Sequence, residues 1–137
     1  MKFTGLDPIS DAIEGGNYSE IEIYREKDNG YWDLHNACEF LGYQYNQEKQ
    51  NAFLYWNYYY DYENSKFRKI ALEFKKIFKF HVSDKDPEMP RYEDECLEDM
   101  HMIELNTIRL FFRGGQTFTI SCEETVFYDP LPADKKI

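Results

Sequence analysis

From Phe53 to Tyr62 the chain is aromatic or aliphatic at every position except Asn57 and Asp61. Such residues suit the pleated, half-buried surface of a strand, so this run is expected to be a central strand. On a period of two, Ala52, Leu54, Trp56, Tyr58 and Tyr60 share one face, and Phe53, Tyr55, Asn57, Tyr59 and Asp61 share the other. The second face carries the polar breaks and is assigned to the wet side.

The same alternation marks Glu20–Tyr24 and Leu41–Tyr45 as strands. Asp28-Asn29-Gly30 is a turn signal, and the polar residues 46–49 are short enough to pair Leu41–Tyr45 with the aromatic strand as a hairpin. Asp33 to Phe40 could form one helical turn. Phe67 to Val82 fits an amphipathic helix with Phe67, Ile70, Ala71, Phe74, Ile77 and Phe78 on one stripe. It also fits two strands broken at Lys75-Lys76, and that reading is preferred because it also buries Leu72 and Phe80. Pro8 to Glu14 predicts a short helix closed by Gly15-Gly16, within an N-terminal helical region over residues 1–16.

Residues 83–99 read as a loop, with an acidic helical turn from Glu93 to Met100. Two strands, Met102–Phe112 and Thr117–Phe127, flank Gly114-Gly115. A three-residue loop of Gly114, Gly115 and Gln116 would set Phe112 opposite Phe118, Leu110 opposite Ile120 and Ile108 opposite Cys122, keeping apolar residues together. The break at Asn106-Thr107 reads as a bulge, and residues 130–137 as a frayed tail. The expected fold is mainly β: one globular domain over residues 1–137, a single antiparallel sheet or sandwich of about seven strands with one or two short helices.

Composition narrows the function more than the fold. A formal net charge of −10 argues against direct nucleic-acid binding, which needs clustered Lys and Arg. No apolar run is long enough to cross a bilayer and no signal peptide is visible, so a cytoplasmic location is expected. Charge is also uneven. Residues 84–99 hold eight acids against Lys85 and Arg91, while residues 66–79 hold six bases against Glu73. An acidic run of this kind is a solvated surface or a docking surface for a basic protein. Twelve tyrosines favour the docking reading, since tyrosine supplies rigid amphipathic contact area. The residues assigned to partner binding are Tyr55, Tyr59, Asp61, Glu93, Asp94, Glu95, Glu98 and Asp99.

The three cysteines form no disulfide framework. His35, Cys38, Cys96 and His101 supply ligand types suited to zinc, but at spacings that match no zinc pattern. In a strand, moreover, His35 and Cys38 would point to opposite faces. No metal, cofactor or catalytic residue is therefore assigned. No phosphate loop, nucleophile elbow or His-Glu-x-x-His helix is present, and the chain is not expected to be an enzyme.

Leu34-His35-Asn36-Ala37, a hairpin through Tyr43 and Trp56, the pattern Ile70-x-Leu72-x-Phe74-x-x-Ile77-x-x-Phe80 and a C-terminal hairpin resemble the small β-rich immunity proteins of bacterial polymorphic-toxin systems. The resemblance spans roughly residues 31 to 128 and transfers no individual functional residue. It implies an acidic cytoplasmic inhibitor that neutralises one cognate toxin. The resulting expectation is a protein-binding module directed at a basic partner such as a toxin. The alternatives are a structural, self-associating domain or, from a third class, a small-molecule or metal-dependent enzyme.

Overall fold

The computed structural model describes residues 1–6, 21, 24–27, 30–35 and 38–135. The helix expected over Pro8–Glu14 and most of the strand expected over Glu20–Tyr24 lie outside them. Eleven strands are described: β1 (Lys2–Thr4), β2 (Tyr24–Lys27), β3 (Gly30–Asp33), β4 (Cys38–Asn46), β5 (Asn51–Asp61), β6 (Lys66–Lys75), β7 (Lys79–Val82), β8 (Leu97–Glu104), β9 (Thr107–Phe112), β10 (Thr117–Ser121) and β11 (Glu124–Tyr128). They form a five-stranded sheet in the order β1-β11-β6-β5-β4, a four-stranded sheet in the order β7-β10-β9-β8 and the separate β2–β3 hairpin. Pairing is antiparallel throughout, except that β1 runs parallel to β11. The mainly β fold expected from the sequence is present, with more and shorter strands.

The aromatic run is β5, bordered by β4 and β6. Ala52, Leu54, Trp56 and Tyr58 are buried with Ile70, Leu72 and Phe74 of β6. They share one hydrophobic cluster with Met100, Ile108, Leu110, Phe112, Phe118 and Ile120 of the four-stranded sheet. Phe40 of β4 bridges the two layers, its ring 5.3 Å from Trp56, 4.6 Å from Phe112 and 6.0 Å from Phe118. The two sheets thus form a sandwich around an aromatic core. Tyr60, expected on the inner face, is 54% exposed, because a register shift between Tyr59 and Asp61 interrupts the alternation.

Phe67–Val82 is two strands, and its Lys75-Lys76 break is where the chain changes sheets. Lys76 takes a positive φ of 56°. Beyond it the amide of Ile77 donates to Gln50 O, and that of Phe78 to Ser121 O. The return crossing lies beside it, between β10 and β11, where Cys122 N donates to Asn106 O and Glu123 N to Lys75 O. Thr117–Phe127 is therefore two strands in different sheets, not one. Met102–Phe112 is likewise divided: Leu105-Asn106 is the two-residue turn of a β8–β9 hairpin, with Glu104 opposite Thr107 and Asn106 at φ 60°. The broken alternation there marks a chain reversal, and the register irregularity of the hairpin lies just before it, between Met102 and Glu104.

The β9–β10 loop has three residues, as expected, but they are Arg113, Gly114 and Gly115. Phe112 N donates to Gln116 O across its base. Leu110 consequently faces Phe118 and Ile108 faces Ile120, two residues away from the expected register. A two-residue shift keeps every side chain on its own face. The loop's last position needs a positive φ, which Gly115 supplies at 93°, as three-residue hairpins with a terminal bulge require. Gly114 is needed for a different reason, since a Cβ there would collide with Asp94. The acidic segment rests directly on this loop: Gly114 N donates to Glu93 O and Asp86 N to Gly114 O.

Two further expectations give way. Residues 33–35 and 38–40 are not helical: β3 ends at Asp33 and β4 begins at Cys38. The helical turn near residue 93 is a 3-10 turn at Arg91–Glu95, and Leu97 onward is already β8. Over the described residues the tail is hydrogen-bonded to β6. Leu131 N donates to Lys69 O, and Ala133–Lys135 form a 3-10 turn, which brings Lys135 Nζ within 3.8 Å of Glu73 Oε1. A buried carboxylate thus faces a lysine of the polar tail.

Candidate partner-binding surface

The outer face of the five-stranded sheet is less wet than the polar breaks suggest. Tyr55 is 1% exposed and cannot be a contact residue, which corrects its assignment. Its neighbours on the flanking strands are Gly42 and Ala71, so the ring has room to lie against the sheet. It stacks on Phe53 at 5.6 Å and 13°, and burial raises the pKa of its phenol, with Glu73 adding to the effect. Glu73 is also buried on this face, accepting from Tyr128 Oη at 2.7 Å and Asn51 Nδ2 at 3.1 Å.

At the far end of the β5–β6 hairpin the face reaches solvent. The Tyr59 ring lies 5.7 Å from Tyr62 and 5.4 Å from Phe67, which are 81% and 47% exposed. The Tyr59 hydroxyl donates to Glu39 Oε2 at 2.9 Å. That hydrogen bond is the main reason the phenol holds its proton above its ordinary range, and Glu95 adds to the effect from the 3-10 turn. Three aromatic rings and the Glu39 carboxylate therefore share one surface, with Glu95 near enough to act on Tyr59 electrostatically. Glu39 stands opposite Asn57 and Tyr59 opposite Phe67, so the Glu39–Tyr59 contact is a diagonal across strands. Sequence reading found Tyr59 and Glu95 and missed Glu39, Tyr62 and Phe67. The exposed rings flanking the Glu63-Asn64-Ser65 turn were the available signal, but only the strand register brings Glu39 to them.

The other predicted residues are engaged within the fold. Asp61 accepts from the amide and side chain of Asn64 and shapes the hairpin turn. Glu93 and Glu98 flank Arg113, 3.0 and 3.6 Å from its Nε. Asp94 meets Lys85 Nζ at 2.9 Å, and Asp99 meets His101 Nδ1 at 3.2 Å. Of the five acids of this run assigned to partner binding, Glu93, Asp94, Glu98 and Asp99 tie the segment down, and Glu95 has no ion pair among the described residues. The basic run does not face it. Lys75 and Lys76 meet Glu124 and Glu123, and Arg68 forms a two-pronged pair with Asp129 at 2.5 and 3.0 Å while covering the Tyr58 ring.

Next to this surface, a cleft of about 380 Å³ separates β4 from the acidic segment, lined by Phe40, Leu41, Tyr43, Lys85, Asp94 and Glu95 among others. β4 is an outermost strand of its sheet, and Leu41, Tyr43 and Tyr45 are exposed along it.

Of the four candidate metal ligands, His35 and Cys96 come together, with His35 Nδ1 3.6 Å from Cys96 Sγ. Cys38 points instead to the carbonyl of Asp33, and His101 to Asp99. Burial raises the pKa of all three thiols, most strongly for Cys38. Cys122 moves from an ordinary 9.0 to about 11. The unfolded chain loses that proton near pH 9, whereas the folded chain keeps it to about pH 11. Unfolding between those values releases a proton, so stability falls as pH rises, by about 2 kcal/mol from this group. Urea titrations from pH 7 to 11 are expected to show this decline, and Cys122→Ala to flatten part of it. An equal decline in the variant would assign the loss to other groups.

No helix among the described residues is long and apolar enough to cross a membrane. Comparison with protein-family models, curated proteins and solved structures finds no match to this chain.

Proposed function

We propose that this chain is a non-enzymatic protein-binding module, an immunity-type inhibitor that neutralises a basic partner such as a toxin. The observation that carries the reading is the solvent-facing cluster of Tyr59, Tyr62 and Phe67 beside Glu39 and Glu95. Clustered aromatic side chains are the usual source of binding energy at protein interfaces. The two carboxylates, on a chain of net charge −10, select a cationic counterpart and speed the encounter.

The test separates these contributions. Tyr62→Ala with Phe67→Ala removes exposed rings and leaves the core intact, so folding stability should move by less than about 0.5 kcal/mol. Affinity for a basic protein captured from native lysate should fall at least about tenfold, as for two hot-spot side chains. Glu39→Lys with Glu95→Lys should slow association and remove its salt dependence. The captured protein's activity should be suppressed by the parent chain and restored by the double alanine variant. Equal binding by parent and variants would refute this surface. Reversing all the acids of residues 93–99 is a poorer experiment, because Glu93, Asp94 and Glu98 hold Arg113 and Lys85.

The exposed outer edge of β4 supports a second reading, self-association by strand pairing. It predicts a sedimentation coefficient that rises with protein concentration and loses that rise in Leu41→Lys.

A further inference from the structure

Away from the aromatic surface, the fold brings three chemically different donors to one point. His35 lies in the turn after β3, Cys96 just before β8 and Glu98 on β8. Their ligand atoms all lie within 4.8 Å of one another, although His35 and Cys96 are 61 positions apart in the chain. Zinc bonds of about 2.3 Å to sulfur and 2.0–2.1 Å to nitrogen, at a tetrahedral angle, place the two donors about 3.6 Å apart. The His35 Nδ1 to Cys96 Sγ separation is 3.6 Å. The pair already stands where a single tetrahedral cation would hold it.

We propose that His35, Cys96 and Glu98 form a Zn²⁺ site with three protein ligands and a fourth position open to solvent. Imidazole, thiolate and carboxylate together favour zinc over magnesium or calcium, which prefer sets of oxygen ligands. The proton balance is simple. Cys96 Sγ, which donates to His35 O at 3.1 Å, releases its proton to solvent on binding. His35 Nδ1, which lies 2.7 Å from Leu97 O, gives up that contact to the cation, and the ring proton resides on Nε2. Thiolate and carboxylate then match the charge of the metal. Arg113 stands beside both anions, its positive charge acting on the Cys96 thiol and its Nε 3.6 Å from Glu98 Oε2, and its own charge is met by Glu93 at 3.0 Å.

The experiment is a titration of chelator-treated full-length protein with Co²⁺ alone, followed by displacement with Zn²⁺. The expected result is uptake of about one equivalent with a thiolate-to-cobalt charge-transfer band that zinc abolishes. Cys96→Ser should lose the band. Glu98→Gln, at an exposed position, should keep the band and its circular dichroism while binding at least about tenfold more weakly. His35→Ala should weaken binding in the same way. In the parent protein, zinc should slow alkylation of Cys96, a readout that holds even if Cys96→Ser folds poorly. No cobalt uptake, or a band that survives Cys96→Ser and so belongs to Cys38 or Cys122, overturns the site. Affinity unchanged in both Glu98→Gln and His35→Ala does the same, leaving only a thiol–imidazole contact.

Discussion

Replacing Trp56 with alanine is expected to cost about 4 kcal/mol, the largest single effect in this domain. The side chain is fully buried at the centre of β5, against Phe40, and in the cluster shared by both sheets. Removing it deletes a large apolar surface and leaves a cavity that the paired strands cannot close by moving together. A domain of this size has a total stability of about 5–15 kcal/mol, so the variant should unfold at far lower urea. Trp56→Phe should cost much less, about 1 kcal/mol. It keeps the ring contact with Phe40 and removes the indole N–H, which finds no acceptor among the described residues. Urea unfolding followed by far-ultraviolet circular dichroism measures both. If phenylalanine were as damaging as alanine, the indole nitrogen would have to be bonded and the packing argument would be wrong.

Glu73→Ala is expected to destabilise the domain by about 3 kcal/mol. The carboxylate is 4% exposed, accepts hydrogen bonds from Tyr128 and Asn51 and forms an ion pair with Lys135 at 3.8 Å. Alanine would leave a phenol and an amide without their acceptor beneath the packed tail, and an unmade buried hydrogen bond costs more than a made one contributes. Glu73→Gln retains an oxygen for Tyr128 and should lose about 1 kcal/mol. Because Lys135 anchors the tail on this carboxylate, limited proteolysis should release the C-terminal residues faster in Glu73→Ala than in the parent. An alanine variant within about 0.5 kcal/mol of the parent would show that the network contributes little.

These two sites mark opposite ends of what could be read in advance. Trp56 was legible because side chains alternate strictly along a strand. Once Phe53–Tyr62 is a strand, Trp56 falls on the same face as Leu54 and Tyr58, and burial follows. Glu73 was not legible. Within Phe67–Lys79 it reads as one acid among bases on a solvated face, and its burial depends on Tyr128 and the tail, more than fifty residues further on.

The surface divides in the same way. The sequence by itself determined the β class, the central aromatic strand, its hairpin with Leu41–Tyr45 and the Lys75-Lys76 break, since local periodicity and turn chemistry carry that information. It also determined that the chain is acidic and rich in tyrosine, and hence the kind of partner proposed. Only the tertiary structure decided which tyrosines face solvent. Tyr55 lies against the sheet between Gly42 and Ala71, while Tyr59 meets Tyr62, Phe67 and Glu39. It also decided which acids are occupied, through Arg113 and Lys85, and it joined His35 to Cys96 while sending Cys38 and His101 elsewhere. The reason is common to all of these: alternation along one strand specifies a face, whereas neighbours across strands depend on register and sheet crossings, which are set by contacts distant in the chain.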